Sequence, residues 1–204
     1  MPRDAFDLLV SFLAIVFTVS FAWPQVVRAM RHGVEGVSVS AILQSLLSAS
    51  AWFGYGVATQ QPVVMISDVG VVSGQLIVTY LLVRDGALGR KAGMAAIVGS
   101  VAVIALAQVA LLTTLLVSVA GIVGLSSAAT QLLEVRREPH KLEGLSAGTY
   151  ALLAGVATSW LVYGLLRADL VIILPNMVML PMALYISFTA AKSHREVGRV
   201  GQRP

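Results

Sequence analysis

Four side chains in an otherwise apolar sequence have the types and spacing to hold a polar solute: Trp52 with Asp68, and Trp160 with Asn176. In both pairs the tryptophan precedes the polar residue by 16 positions, and the second pair follows the first by 108. An indole packs its face on the apolar face of a sugar and keeps its N–H as a donor. An asparagine amide offers two donors and an acceptor, which matches the dual character of a hydroxyl. A single tryptophan would belong to the aromatic belt at a membrane interface. A polar partner repeated at the same spacing favours a binding site instead. Asp68 is the only acid placed deep in an apolar stretch, since Glu134 falls at the end of one. A carboxylate inside a bilayer is costly, and such a residue is expected to face a cavity. Neutral, it donates a hydrogen bond as an amide does; titrating, it would couple transport to protons. A structural acid bonded to a neighbouring helix is the remaining alternative.

The elements that must position these residues are membrane helices. Only 12% of the 204 residues are Asp, Glu, Lys or Arg, where globular chains carry about 25%. Apolar residues make up 57%, more than a soluble fold of this length can hide from water. Charge-free stretches mark the spans at about 20 residues each. Residues 8–27 form one, and 36–83 divide into two at Thr59-Gln60-Gln61-Pro62. The 42 uncharged residues from 92 to 133 are too long for one crossing and are expected to turn near Thr113-Thr114. Residues 144–166 and 170–191 complete seven spans. The first run lacks a basic start and a small-residue cleavage pattern, so it is read as a span rather than a signal peptide.

Seven spans gather 12 of the 14 Lys and Arg on one side, leaving only Arg3 and Arg167 opposite. The positive-inside rule then puts the N-terminus outside and the C-terminus in the cytoplasm of a cell membrane. The net charge of +4 is that of a cytoplasmic face and requires no nucleic-acid partner.

An offset of 108 aligns 32–82 on 140–190 without a gap. Ten positions match, among them His32/His140, Glu35/Glu143, Gly36/Gly144, Ser38/Ser146, Trp52/Trp160, Tyr55/Tyr163 and Gly56/Gly164. Each copy covers three spans, and both are preceded by basic loops. An odd number of spans repeated directly would invert the second copy, so one extra crossing must restore it. The expected fold is therefore all-α, two parallel three-helix bundles joined by a linker helix (3+1+3). Its parts are 1–91 for the first repeat, 92–116 for the linker, 117–191 for the second repeat and 192–204 for a basic tail.

Several of these residues resemble a known family. Trp23-Pro24-Gln25 before a basic loop and Glu35-Gly36-Val37-Ser38 looks like a PQ-loop motif. Trp52-Phe53-Gly54-Tyr55-Gly56 is similar to the end of the second helix of SWEET sugar transporters, and Pro175-Asn176 with Leu184-Tyr185 to their seventh. The resemblance covers about 8–83 and 117–190, as in a bacterial-type two-repeat member of the PQ-loop superfamily. It implies that Trp52, Trp160, Asn176 and Asp68 line the substrate cavity between the bundles, and it suggests self-association. SWEETs usually carry asparagine in both copies, so Asp68 departs from the pattern. Some PQ-loop carriers, cystinosin among them, are proton-coupled through membrane aspartates. Pro24, with Gln25, would loosen the inner end of span 1; the second copy has Thr130-Gln131, so Gln131 has no proline beside it. Pro175 and Pro181 should kink span 7. The prolines that SWEETs tend to carry in spans 2 and 6 are missing, which leaves a symmetric proline gate unsupported.

Other chemistries find little in the chain. It has no cysteine, and His32, His140 and His194 fall in loops or the tail without a ligand set. No catalytic constellation or phosphate-binding glycine loop is present, so neither an enzyme, a cofactor nor a metal is expected. Gln44, Gln75 and Gln108 line a path or bridge helices; the sequence does not distinguish the two. The expected function is a transporter of a small neutral polar solute, a sugar first, by alternating access at a midplane site. The alternatives are a proton-coupled amino-acid carrier using Asp68 and a PQ-loop receptor or scaffold that transports nothing. The absence of cysteine makes the orientation directly testable. A single cysteine replacing Gln60 should react with a membrane-impermeant maleimide on intact cells, whereas one replacing Ala87 should react only after the cells are opened. The reverse labelling would overturn the assigned orientation.

Overall fold

The computed structural model describes residues 3–137 and 147–200, with side chains over 4–109, 112–126 and 148–192. Seven helices account for nearly all of them: α1 (Arg3–His32), α2 (Val39–Ala58), α3 (Pro62–Arg84), α4 (Arg90–Leu106), α5 (Ala110–Arg137), α6 (Ala147–Arg167) and α7 (Leu170–Val200). Four of them, over Asp4–His32, Pro62–Arg84, Gly148–Arg167 and Leu170–Lys192, are long and apolar enough to cross a membrane. The helix α2 is of similar length but carries Ser40, Gln44, Ser45, Ser48 and Ser50. Large side chains such as Leu8, Phe12, Ile122 and Phe188 are exposed, an arrangement that suits a lipid solvent and not water. The chain is thus a helical, membrane-embedded protein.

The chain divides within α5 into two compact units, Met1–Gly121 and Ile122–Pro204. In the first, α3 packs against both α1 and α2, and α4 packs on α2. Gly70 and Gly74 bring α3 close to α1: a Cβ at Gly74 would lie 2.9 Å from Val26 Cγ2, and one at Gly70 would lie 3.1 Å from Val19 Cγ2. This small-xxx-small stripe is a device membrane helices use where burial from water supplies no driving force. The Trp23 indole N–H donates to the Gly70 carbonyl at 3.2 Å across the same crossing. Beyond it, Val26, Ala29, Ile42, Val78, Leu81, Leu82 and Leu88 form a buried core. Val34 and Val37, from the α1–α2 loop, pack onto it. That loop also explains the first Glu-Gly-x-Ser: Gly36 takes a positive φ of 74°, and Ser38 caps α2 by accepting from the Ala41 N–H at 3.3 Å. The second copy of this motif lies outside the described residues.

The break between α4 and α5 comes earlier than its expected place near Thr113-Thr114, at residues 107–109. Thr113 already belongs to the first turn of α5, and its hydroxyl donates back to the carbonyls of Ala107 and Val109. Both carbonyls lie in the break between the helices, and that of Val109 also accepts from the backbone N–H groups of Leu112 and Thr113 at 2.8 and 3.0 Å. The threonine therefore closes the break from its far side. Gln108 sits in the break itself, and its Nε2 donates to the Gly54 carbonyl of α2 at 3.3 Å and to the Ile104 carbonyl at 2.9 Å. It bridges helices.

In the second unit α6 packs on α7. Their hairpin repeats the backbone turn of α2 and α3. Gln60 and Ala168, related by 108, both turn the chain in the left-handed region, at φ of 55° and 53°. The Gln61 N–H donates to the Gly56 carbonyl at 2.8 Å, and the Asp169 N–H to the Gly164 carbonyl at 2.9 Å. A Cβ at Gly56 would lie 3.0 Å from the Met65 nitrogen, and one at Gly164 would lie 3.2 Å from the Ile173 nitrogen. In each turn the repeated glycine sits where the two helices approach closely, and a Cβ there would crowd the facing backbone. The same crowding would arise between α2 and α4 at Gly54, where a Cβ would come within 2.6 Å of Ala107 Cβ. Gly54→Val should therefore force α4 off α2 at a cost of about 1–3 kcal/mol. Thermal unfolding in detergent should show the loss; an unchanged midpoint would mean that α4 does not dock there.

Candidate functional site

The two hairpins set the level of the candidate residues. Trp52 and Asp68 lie eight residues on either side of Gln60, and Trp160 and Asn176 lie eight on either side of Ala168. In an antiparallel pair joined by a tight turn, residues equidistant from the turn stand at one level. Measured from the helix ends next to the turns, each lies six or seven residues inside, roughly 9–10 Å at 1.5 Å per residue. The structure therefore sets them out as two pairs, each at one level within its own unit.

Both indoles are half-buried and held by the same neighbour. Trp52 meets Tyr55 edge-to-face with ring centroids 5.9 Å apart, and Trp160 meets Tyr163 in the same way at 5.4 Å. The buried tyrosines brace each indole about two turns from the end of its helix. In the second unit Arg167 lies over the Tyr163 ring, 5.3 Å from its centroid. In the first unit the corresponding residue is Thr59, whose hydroxyl donates to the Tyr55 carbonyl at 2.7 Å. The sequence marked the tyrosines only as repeat matches, although their spacing of three from each tryptophan signals an intrahelical contact.

The polar members differ in a way that one backbone carbonyl explains. Asn176 Nδ2 donates to the Ile172 carbonyl of its own helix at 2.7 Å. The matching carbonyl in α3 belongs to Val64 and is taken by the Ser67 hydroxyl at 2.9 Å. In α7 the position of Ser67 is filled by Pro175, which has no hydroxyl to give. Asn176 therefore spends one N–H on its helix, and its Oδ1 makes no hydrogen bond among the described residues. The half-buried Asp68 carboxyl makes none either. Between them the two residues present acceptor oxygens and, at Asn176, a second N–H, groups that pair with hydroxyls.

The gating candidates lie on α1, α5 and α7. Pro24 and Gln25 are exposed on α1, which runs as one helix through the proline. The adjacent Trp23 is tied to Gly70, so the proline follows a pinned residue. Pro175 and Pro181 both lie inside α7. Gln131 belongs to α5, but its side chain lies outside the described residues. No group of three or more His, Cys, Asp or Glu that would hold a metal occurs among the described residues. Asp169, which the sequence reading passed over, caps α7 through Oδ1, accepting from the N–H groups of Val171 and Ile172 at 3.1 and 3.3 Å.

No protein-family model matches this chain, and no curated protein matches it. Its reading rests on its own residues. The tyrosine braces give the first check on them. Tyr55→Leu and Tyr163→Leu should each lose about 0.5–1.5 kcal/mol of edge-to-face contact beyond the buried area. The Tyr163 substitution should cost more, because it also removes the contact with Arg167. Unfolding midpoints in detergent give the order, and a reversed order would show that the arginine contributes nothing.

Proposed function

We propose that this protein is a membrane transporter of a small neutral polar solute, with a sugar as the first candidate. It works by alternating access, and each three-helix repeat supplies one indole and one polar side chain to the solute. The observation that carries this reading is the duplicated pair: a braced tryptophan and a polar residue at one level, eight residues either side of an identical turn. Stacking on the indoles and hydroxyl pairing at Asn176 and Asp68 suit a polyhydroxylated solute better than a charged one. The apolar stretches carry no basic side chain to hold a carboxylate.

The unengaged carboxyl of Asp68 favours one alternative, a proton-coupled carrier in which that residue is protonated and released during the cycle. Uptake of labelled sugars and amino acids into proteoliposomes, with and without a pH gradient, separates the two. Sugar flux independent of the gradient and reduced at least tenfold by Trp160→Ala supports the sugar transporter. Gradient-driven flux abolished by Asp68→Asn, with sugars inert, supports the coupled carrier. Absence of flux for every small solute would leave a receptor or scaffold as the surviving reading.

A further inference from the structure

Three glutamines were candidates to line a path or bridge helices, and the structure separates them. Gln44 is exposed on α2, and Gln108 is spent bridging α2 and the α4 break. Gln75 is different. It is only 5% exposed, its Oε1 is fully buried without a hydrogen-bond partner, and its side chain makes no hydrogen bond among the described residues. The one bond recorded at this residue uses its backbone, whose carbonyl accepts from the Thr79 hydroxyl at 2.8 Å.

An amide buried in a membrane helix without a partner is costly, because no water is at hand to satisfy it. A leucine or methionine would fill the same space without that cost. Gln75 is therefore not explained by packing, and it does not bridge helices. Its place on α3 is informative. Seven residues from Asp68 is 20° short of two full turns, so the two residues share a face about 10 Å apart along the axis. Gly74 and Gly70, which lie against α1, are between about a third and nearly half of a turn round from that face. The amide carries an acceptor and two donors, so a hydroxyl can both give to it and receive from it.

We infer that Gln75 is a second solute-binding station on α3, which takes a hydroxyl of the transported sugar two helical turns from Asp68. The inference rests on the transport reading and adds to it a residue that recognises hydroxyls by hydrogen bonding alone. A carboxyl pairs differently at different pH, whereas an amide does not titrate. The contribution of Gln75 is therefore independent of pH.

The test compares wild type with Gln75→Met, which keeps length and removes the amide. Radiolabelled glucose or sucrose is the probe in proteoliposomes, and thermal unfolding in detergent is measured in parallel. The expected result is about a tenfold lower flux at subsaturating sugar, the scale of one buried hydrogen bond. The loss should be equal at pH 6 and pH 8 (both roughly flanking neutrality), with an unfolding midpoint unchanged or raised. Gln75→Asn, which withdraws the amide by one methylene, should recover part of the flux. Unchanged flux in Gln75→Met overturns the inference and leaves the transport reading standing. A lowered midpoint with normal flux per folded protein, or failure of both variants to fold, assigns Gln75 to helix bracing and overturns it as well. No sugar flux in wild type removes the transport reading and this station with it.

Discussion

In a lipid solvent every polar group, on the backbone or on a side chain, needs a partner within the chain. Much of this protein's polar inventory is committed to that requirement. The Thr113 hydroxyl serves the end of α4, Ser67 serves Val64, Asn176 serves Ile172, and the Trp23 indole reaches across to Gly70. Polar side chains on membrane helices would usually suggest function at once. Here most of them answer to their own backbone. The few that do not are the informative ones.

The two repeats show how that accounting shapes a site. Their turns share the same backbone bond, a glycine in close contact at 56 and 164, and a left-handed residue four positions later. The turn therefore sets the level of each tryptophan and its polar partner. The exchange of Ser67 for Pro175 then breaks the symmetry. Where serine satisfies the i−4 carbonyl, the neighbouring position can be an acid with its carboxyl unengaged. Where proline stands, the neighbouring Asn176 amide donates to the matching carbonyl instead. Asp68 and Asn176 thus differ beside a second difference one residue away, Ser67 against Pro175.

Close approach is the second constraint. Membrane helices gain little by leaving lipid, so contact must come from shape and directed bonds. Gly70 and Gly74 let α1 settle on α3, and Gly54 lets α4 settle on α2, where Gln108 then bonds the exposed carbonyl. Within the first unit α4 is accordingly held to α2 by a glycine and an amide together. Removing either would leave the other with less to hold.

The sequence by itself determined the helices, because charge and hydropathy decide where a chain can enter lipid and those properties are local. It placed α1, α2, α3, α6 and α7 correctly, marked the repeat at 108 and singled out the two tryptophan pairs. It misplaced the α4–α5 break because threonine is as compatible with a first turn as with a loop, and only the fold-back to Ala107 and Val109 distinguishes them. Tertiary structure alone decided which polar groups are already engaged. Gln44, Gln75 and Gln108 are one residue type in similar apolar contexts, yet one is exposed, one bridges two helices and one is buried without a partner. The physical reason is that a hydrogen bond depends on what lies within about 3 Å of a side chain's end, and sequence spacing along one helix does not specify its neighbours on another.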